Sequence, residues 1–186
     1  IYGLKDLKNL TPKEFCFQLM KTDKRILADL NIEEGCTVEI STVMRDIIRY
    51  LSNHIQENSG AALIIDYGKE GNVGDTLQAV YHHMYSNPLT SPGQKDLTSF
   101  VDFKAIKTFA EETGAVVPNL TNQGDFLRSL GIEQRAEILS QGLTSSALKL
   151  HKSGLARLIN KDAMGSLFKV LGIRNENSPP LIGLEI

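Results

Sequence analysis

The chain has 186 residues, 41% of them hydrophobic and 23% charged, which is enough for one sizeable core. Lys plus Arg number 20 against 22 Asp plus Glu, and this balance (net charge −2) argues against nucleic acid as the main partner. No apolar run approaches the ~20 residues that cross a bilayer, and aliphatic residues recur throughout, which excludes disorder over most of the length.

Two cysteines, Cys16 and Cys36, make no disulfide scaffold. The sequence opens on Ile1 with neither an initiator Met nor a leader, so it is expected to be part of something longer. Thr11-Pro12-Lys13-Glu14 reads as a helix start, with Thr11 as cap and Glu14 closing a capping box. Phe15, Leu19, Ile26, Leu27 and Leu30 follow at roughly helical spacing, and Gly35 stops the segment. Cys36 to Ile40 reads as a short strand. Ser41 then caps a helix whose apolar face holds Val43, Met44, Ile47, Ile48, Leu51 and Ile55. Asn58-Ser59-Gly60 ends it.

Ala61-Ala62-Leu63-Ile64-Ile65 is a continuous apolar run without alternation. Such a run suits a strand buried on both faces, as in a parallel sheet under helices. It ends in Asp66-Tyr67-Gly68. Helix, tight turn, buried strand and polar tip make one unit of an open α/β sheet. Thr76 to Tyr81 is expected as a strand, and His82 to Thr98, with Pro88, Pro92 and Gly93, as an irregular stretch with a function. Asp102 caps a helix running through Glu112, and Ala115 to Leu120 reads as a strand. Phe126–Leu130, Glu133–Ser140 and Ser145–Asn160 read as helices and Leu167–Ile173 as a late strand. A polar, Pro-containing tail follows.

Asp66 stands where an open α/β sheet keeps its ligands, just outside the carboxyl end of a strand. Its other reading is a plain strand-ending turn. Tyr67 adds an aromatic face and a donor. His82 and His83 are neighbours whose side chains point apart on an extended segment, a poor chelate, and no metal-ligand spacing accompanies them. One of them can still carry a proton near neutral pH. Asp96 has no local capping duty, unlike Asp102, and is the better pocket candidate. Gln123-Gly124 either caps a short helix or touches a ligand, and His151-Lys152 reads as a solvated helix face. Gly68, Gly71 and Gly74 do not form Gly-x-Gly-x-x-Gly, so a dinucleotide cradle in this chain is unsupported.

One ordered set of motifs carries more. Gly60-Ala61-Ala62-Leu63-Ile64-Ile65-Asp66-Tyr67-Gly68 is followed by Asp75-Thr76-Leu77, His83, Pro92-Gly93, Asp96-Leu97-Thr98 and Val101-Asp102-Phe103. Gln123-Gly124, Phe126-Leu127, Leu130-Gly131-Ile132 with Arg135, Met164-Gly165 and Phe168-Lys169-Val170-Leu171 complete it. From about Thr37 to Ile173 the chain resembles the C-terminal half of the MidA-like family. These are S-adenosylmethionine-dependent protein arginine methyltransferases whose mitochondrial members are complex I assembly factors. Gln78 departs from the family, where many relatives carry Arg.

The resemblance implies an α/β fold: the C-terminal part of a Rossmann-like methyltransferase sheet with added helices. Residues 1–36 would be a loosely assigned N-terminal segment, 37–174 the second half of the methyltransferase domain and 175–186 the tail. The implied activity is symmetric dimethylation of an arginine in a core subunit of respiratory complex I. The cofactor is S-adenosylmethionine, and the Gly-rich loop that holds it is not in this chain. Asp66, His83 and Asp96 are then the catalytic candidates, with Tyr67, Thr98 and Gln123 at the substrate. No metal, nucleic acid or membrane span is expected, and a homo-oligomer is allowed. The compartment would be the mitochondrion, or the cytoplasm for a bacterial member. Two alternatives stand beside this enzyme: a non-catalytic module that binds a complex I subunit or partner chain, and a small-molecule methyltransferase on the same scaffold. A half-sheet should also leave one edge and some apolar surface uncovered.

Overall fold

The computed structural model describes Phe17, residues 35–71 and residues 73–184. The helix expected from Thr11 onward lies outside the described residues, as does Cys16. In chain order the elements are α1 (Thr42–Asn58), β1 (Ala61–Lys69), β2 (Gln78–Tyr81), β3 (Met84–Ser86), β4 (Asp96–Thr98), β5 (Val101–Asp102) and α2 (Phe103–Glu111). They continue with β6 (Thr121–Asn122), α3 (Gln123–Ser129), α4 (Ile132–Ser140), α5 (Ser145–Ile159), α6 (Met164–Leu167) and β7 (Phe168–Arg174). The described residues form two compact units, one of 35–39 with 73–100 and one of 40–71 with 101–184.

The larger unit is built on a four-stranded sheet of order β5-β1-β7-β6. Strand β7 runs antiparallel to β1 from Ala61↔Arg174 to Tyr67↔Phe168, and antiparallel to β6 at Thr121↔Val170. β1 and β6 are therefore parallel to each other, with the last strand inserted between them. Helices α1 and α2 cover one face. Ile48 and Ile55 of α1 and Phe103, Ile106 and Ala110 of α2 close a core over Leu171 and Ile173. Val170 points to the opposite face, into a cluster with Phe126 of α3 and Leu184 of the tail. The tail is thus packed. Gly172 makes room for it, since a Cβ there would lie 2.4 Å from Leu181 Cδ1 and 2.8 Å from Leu184 Cδ1.

Several expectations need correction. The strand buried on both faces is β7, not β1. Along β1 exposure alternates, and Leu63 (48% exposed) and Ile65 (44%) face outward. Its main partner is antiparallel, and among the described residues its outer edge is paired only at Gly68↔Val101 and Lys69↔Asp102, in parallel with β5. In α1 the hydroxyl of Ser41 caps as expected, accepting from Met44 N at 3.2 Å. Its buried row, however, is Ile48, Ser52 and Ile55, and Val43 and Ile47 are exposed.

The strand expected over 115–120 is reduced to a single bridge, Val116↔Arg174, held by two backbone bonds of 2.9 and 3.0 Å. Pro118 has no N–H to continue the ladder, and pairing resumes at Thr121. α3 starts at Gln123, three residues before the first apolar position that marked it in the sequence. His151 is not on a solvated face: its Nε2 lies 2.9 Å from the Ala136 carbonyl, which ties α5 to α4.

In the smaller unit the expected strand over Cys36–Ile40 is one bridge, Val38↔Val73. The stretch 82–98 is not irregular throughout. It supplies two strands of a three-stranded antiparallel sheet of order β3-β2-β4. Ala79 is its buried centre.

Candidate functional site

Contrary to expectation, Asp66 and Tyr67 do not lie just outside the strand: β1 runs on to Lys69, and both are half-buried within it, with Asp66 registered to Lys169 and Tyr67 to Phe168. Asp66 Oδ1 accepts from the Tyr67 backbone N–H at 2.7 Å. The Tyr67 ring meets Phe168 edge-on, with centroids 5.6 Å apart, so the first residue of β7 orients it. Gly68 follows because nothing larger fits: a Cβ there would lie 2.3 Å from the Val101 carbonyl oxygen. That close approach seats β5. Asp102 Oδ1 then accepts from Ala105 N, capping α2, and from Gly71 N, both at 3.1 Å. One carboxylate thus fixes a helix start and the loop leaving β1.

In the smaller unit Asp96 registers with Val80 and Thr98 with Gln78. Two residues apart on β4, Asp96 and Thr98 share one face of the sheet. Tyr85, also opposite Val80, stands on that face and is exposed. His82 and His83 are the two central residues of the β2–β3 turn, with φ of 48° and 63°. This is the mirror-image hairpin turn that Asn-Gly ordinarily fills. Side chains at both positions hold the chain in a left-handed conformation, the kind of local strain that collects at functional sites.

Glu39 was not singled out by the sequence, yet it organises this unit. Its carboxylate accepts from Thr76 N (2.8 Å), Leu77 N (3.0 Å) and the Thr76 hydroxyl, which in turn accepts from Phe100 N at 2.9 Å. The available signal was an acid set between apolar Val38 and Ile40.

Gln123 stands apart from these groups. It is 7% exposed, and its amide nitrogen donates to the Leu158 carbonyl at 2.9 Å. Gly124 and Gly165 have no room for a Cβ beside the Ile159 carbonyl oxygen, which would lie at 2.5 and 2.3 Å. The Gln123-Gly124 pair therefore docks α3 against the end of α5. Asp66 and Tyr67 are consecutive within β1 of the larger unit, so their side chains leave the strand on opposite faces, whereas Asp96 and Thr98 share a face in the smaller unit with His83 on the same sheet.

The glycines after β1 offer no cofactor cradle. The space over Gly68 is filled by Val101, and Gly71 and Gly74 stand singly at φ 100° and 126°. The described residues alone do not fit S-adenosylmethionine. Two clefts line the larger unit. A narrow one of about 170 Å³ lies among Glu70, Lys104, Lys107 and Asn119. An open one of about 600 Å³ lies among Arg157, Lys161, Asp162, Met164 and Leu167.

A parallel pair split by an antiparallel last strand, with helices on the faces, defines the class: α/β, the C-terminal part of a Rossmann-like methyltransferase sheet with added helices. Residues 4–121 match a family described as "Putative S-adenosyl-L-methionine-dependent methyltransferase". The chain belongs to that family. The "Protein arginine methyltransferase NDUFAF7, mitochondrial" of Danio rerio is 33% identical over 140 residues, 74% of this chain and 32% of that protein. The homolog of Drosophila melanogaster is 36% identical over 124 residues, covering 66% and 28%. A crystal structure of a COG1565 superfamily member from Burkholderia thailandensis, bound to S-adenosyl-homocysteine, superposes with a TM-score of 0.73 at 25% identity. That match covers 91% of this chain and 46% of the other. The chain thus spans about a third of the length of the curated relatives it matches.

Proposed function

We propose that this chain is the acceptor side of an S-adenosylmethionine-dependent protein arginine methyltransferase. The observation that carries the proposal is the half-buried Asp66 carboxylate in the second half of β1, registered with Lys169 of the inserted antiparallel strand. The names of the relatives and the ligand of the solved neighbour support it. Asp66 uses Oδ1 to accept from the Tyr67 N–H and keeps Oδ2 for an incoming donor. A guanidinium is a planar fork of donors, which a carboxylate such as that of Asp66 holds well; Asp96, in the smaller unit, is a second candidate carboxylate. Tyr67, on the opposite face of β1 against Phe168, is a separate substrate-binding candidate. The target must also shed a proton around the time of attack, because a free guanidinium stays protonated above pH 12. His83 is assigned to orienting the substrate or taking that proton, and Thr98 to the substrate's flank; Gln123, buried and bound to the Leu158 carbonyl, is withdrawn from the substrate.

The finer form of the proposal is symmetric dimethylation of a core complex I subunit in the mitochondrion, in support of complex I assembly. S-adenosylmethionine is bound mainly by polypeptide outside this chain. The exposed Leu63, Ile65, Val43 and Ile47 are the surface assigned to that polypeptide.

The test is a calorimetric titration of the whole protein with S-adenosyl-homocysteine, followed by mass spectrometry of protein substrates incubated with labelled methyl donor. Binding and label on arginine are expected. A whole protein that binds no S-adenosyl-homocysteine favours the second reading, a non-catalytic interaction module, to which the same exposed apolar side chains lend support. Label on small molecules alone favours a different methyltransferase.

A further inference from the structure

From Ile138 to Lys161 the sequence contains no Asp or Glu but four cations, Lys149, Lys152, Arg157 and Lys161, in a chain whose net charge is −2. Helix α5 carries the first three, all exposed. At 3.6 residues per turn Lys149, Ser153 and Arg157 fall on one outward face, and Leu150, 76% exposed, shares that face about two turns before Arg157. Among the described residues none of the four cations is paired with a carboxylate. The helix macrodipole accounts for Arg157 in the last turn but not for Lys149 and Lys152, which lie outside it.

The stripe runs on into the open 600 Å³ cleft, which Arg157 and Lys161 line together with apolar Ala163, Met164 and Leu167 and with Asp162 as its only acid. Leu167 directly precedes Phe168, whose ring contacts Tyr67. Cleft and stripe therefore lead toward the carboxyl end of β1.

We propose that this surface is the docking track for an acidic segment of the protein substrate, carrying Leu- or Phe-type side chains, that lies along α5 and seats an apolar residue in the cleft. The assignment rests on the protein methyltransferase function proposed above and adds to it the chemistry of the sequence flanking the target. Unpaired cations select for acid, and the exposed Leu150 and the apolar cleft floor select for apolar side chains.

The test uses the whole protein and a fluorescein-labelled peptide of alternating Glu and Leu, with a Gln-for-Glu peptide as control. The acidic peptide should bind, more weakly as salt rises, and the combined Lys149→Glu, Arg157→Glu and Lys161→Glu variant should weaken it at least about tenfold. The Gln peptide should bind more weakly and ignore the variant. The corresponding Lys→Gln and Arg→Gln variant should fall between, and circular dichroism should show both variants folded. Equal binding of the two peptides, or no loss in the Glu variant, overturns the proposal. So does variant-sensitive binding of a short RNA or of anionic phosphatidylserine vesicles in place of the peptide. S-adenosyl-homocysteine affinity is measured on the same samples. If that ligand binds and the peptides are indifferent, the docking track alone falls; if it does not bind, the methyltransferase function falls with it.

Discussion

Replacing Gly68 with Ala forces β5 to move. The new Cβ would lie 2.3 Å from the Val101 carbonyl oxygen, 3.0 Å from its nitrogen and 2.9 Å from a Phe103 ring carbon. Two of these atoms are backbone and cannot rotate away, and β5 is held to β1 at only two registered positions. Displacing β5 drags Asp102, whose carboxylate caps α2 and holds Gly71. Overpacking and the lost cap together should cost about 2–4 kcal/mol. The assay is urea unfolding of the whole protein, read as a fall in midpoint at constant slope. Gly154→Ala is the control: it lies within α5 with open space around it and should stabilise by about 0.5–1 kcal/mol. A Gly68→Ala protein within about 0.5 kcal/mol of wild type would refute the close-approach argument.

Two further outcomes follow from the same geometry. His83→Gly removes a side chain held at φ 63° and should stabilise the hairpin by about 1 kcal/mol while methyl transfer falls; a rise in melting temperature with undiminished turnover would make His83 a turn residue only. Gly172→Val pushes Leu181 and Leu184 off β7 and should cost about 2 kcal/mol or more, with limited proteolysis cutting first in the freed tail; a tail that stays protected would contradict its packing role.

Much of the fold was legible because local signals and tertiary structure agree. Ser41 and Asp102 cap the helices they announce, and α4, α5 and β7 end within a residue or so of their apolar periods. The failures share a cause: a pattern shows what can be buried, not what covers it. The run Ala61–Ile65 looked doubly buried, but its two faces differ, and the strand covered on both faces carries a lysine and a glycine, Lys169 and Gly172. Pro118 interrupts a strand-like stretch by removing one donor. The small sheet hid because its strands are three or four residues long and its tightest turn is His-His rather than Asn-Gly. For the site, the polar end of the apolar run marked Asp66 and Tyr67 as candidates, but β1 continues through both to Lys69, because a polar residue does not stop a strand that still has a partner to pair with. Glu39 was missed because its acceptors' partners, Thr76 and Leu77, lie far along the chain. Gln123 looked ligand-facing because nothing local reveals that Leu158 takes its amide.

The most direct measurement is the turnover of Asp66→Asn in the whole protein, taken beside its urea midpoint and its affinity for S-adenosyl-homocysteine. Asparagine keeps the acceptor for the Tyr67 N–H and removes the charge that would grip a guanidinium. Methyl transfer to arginine should drop at least about a hundredfold, with stability within about 1 kcal/mol and cofactor-product affinity unchanged. Wild-type turnover in that variant would contradict the account and remove Asp66 from the site.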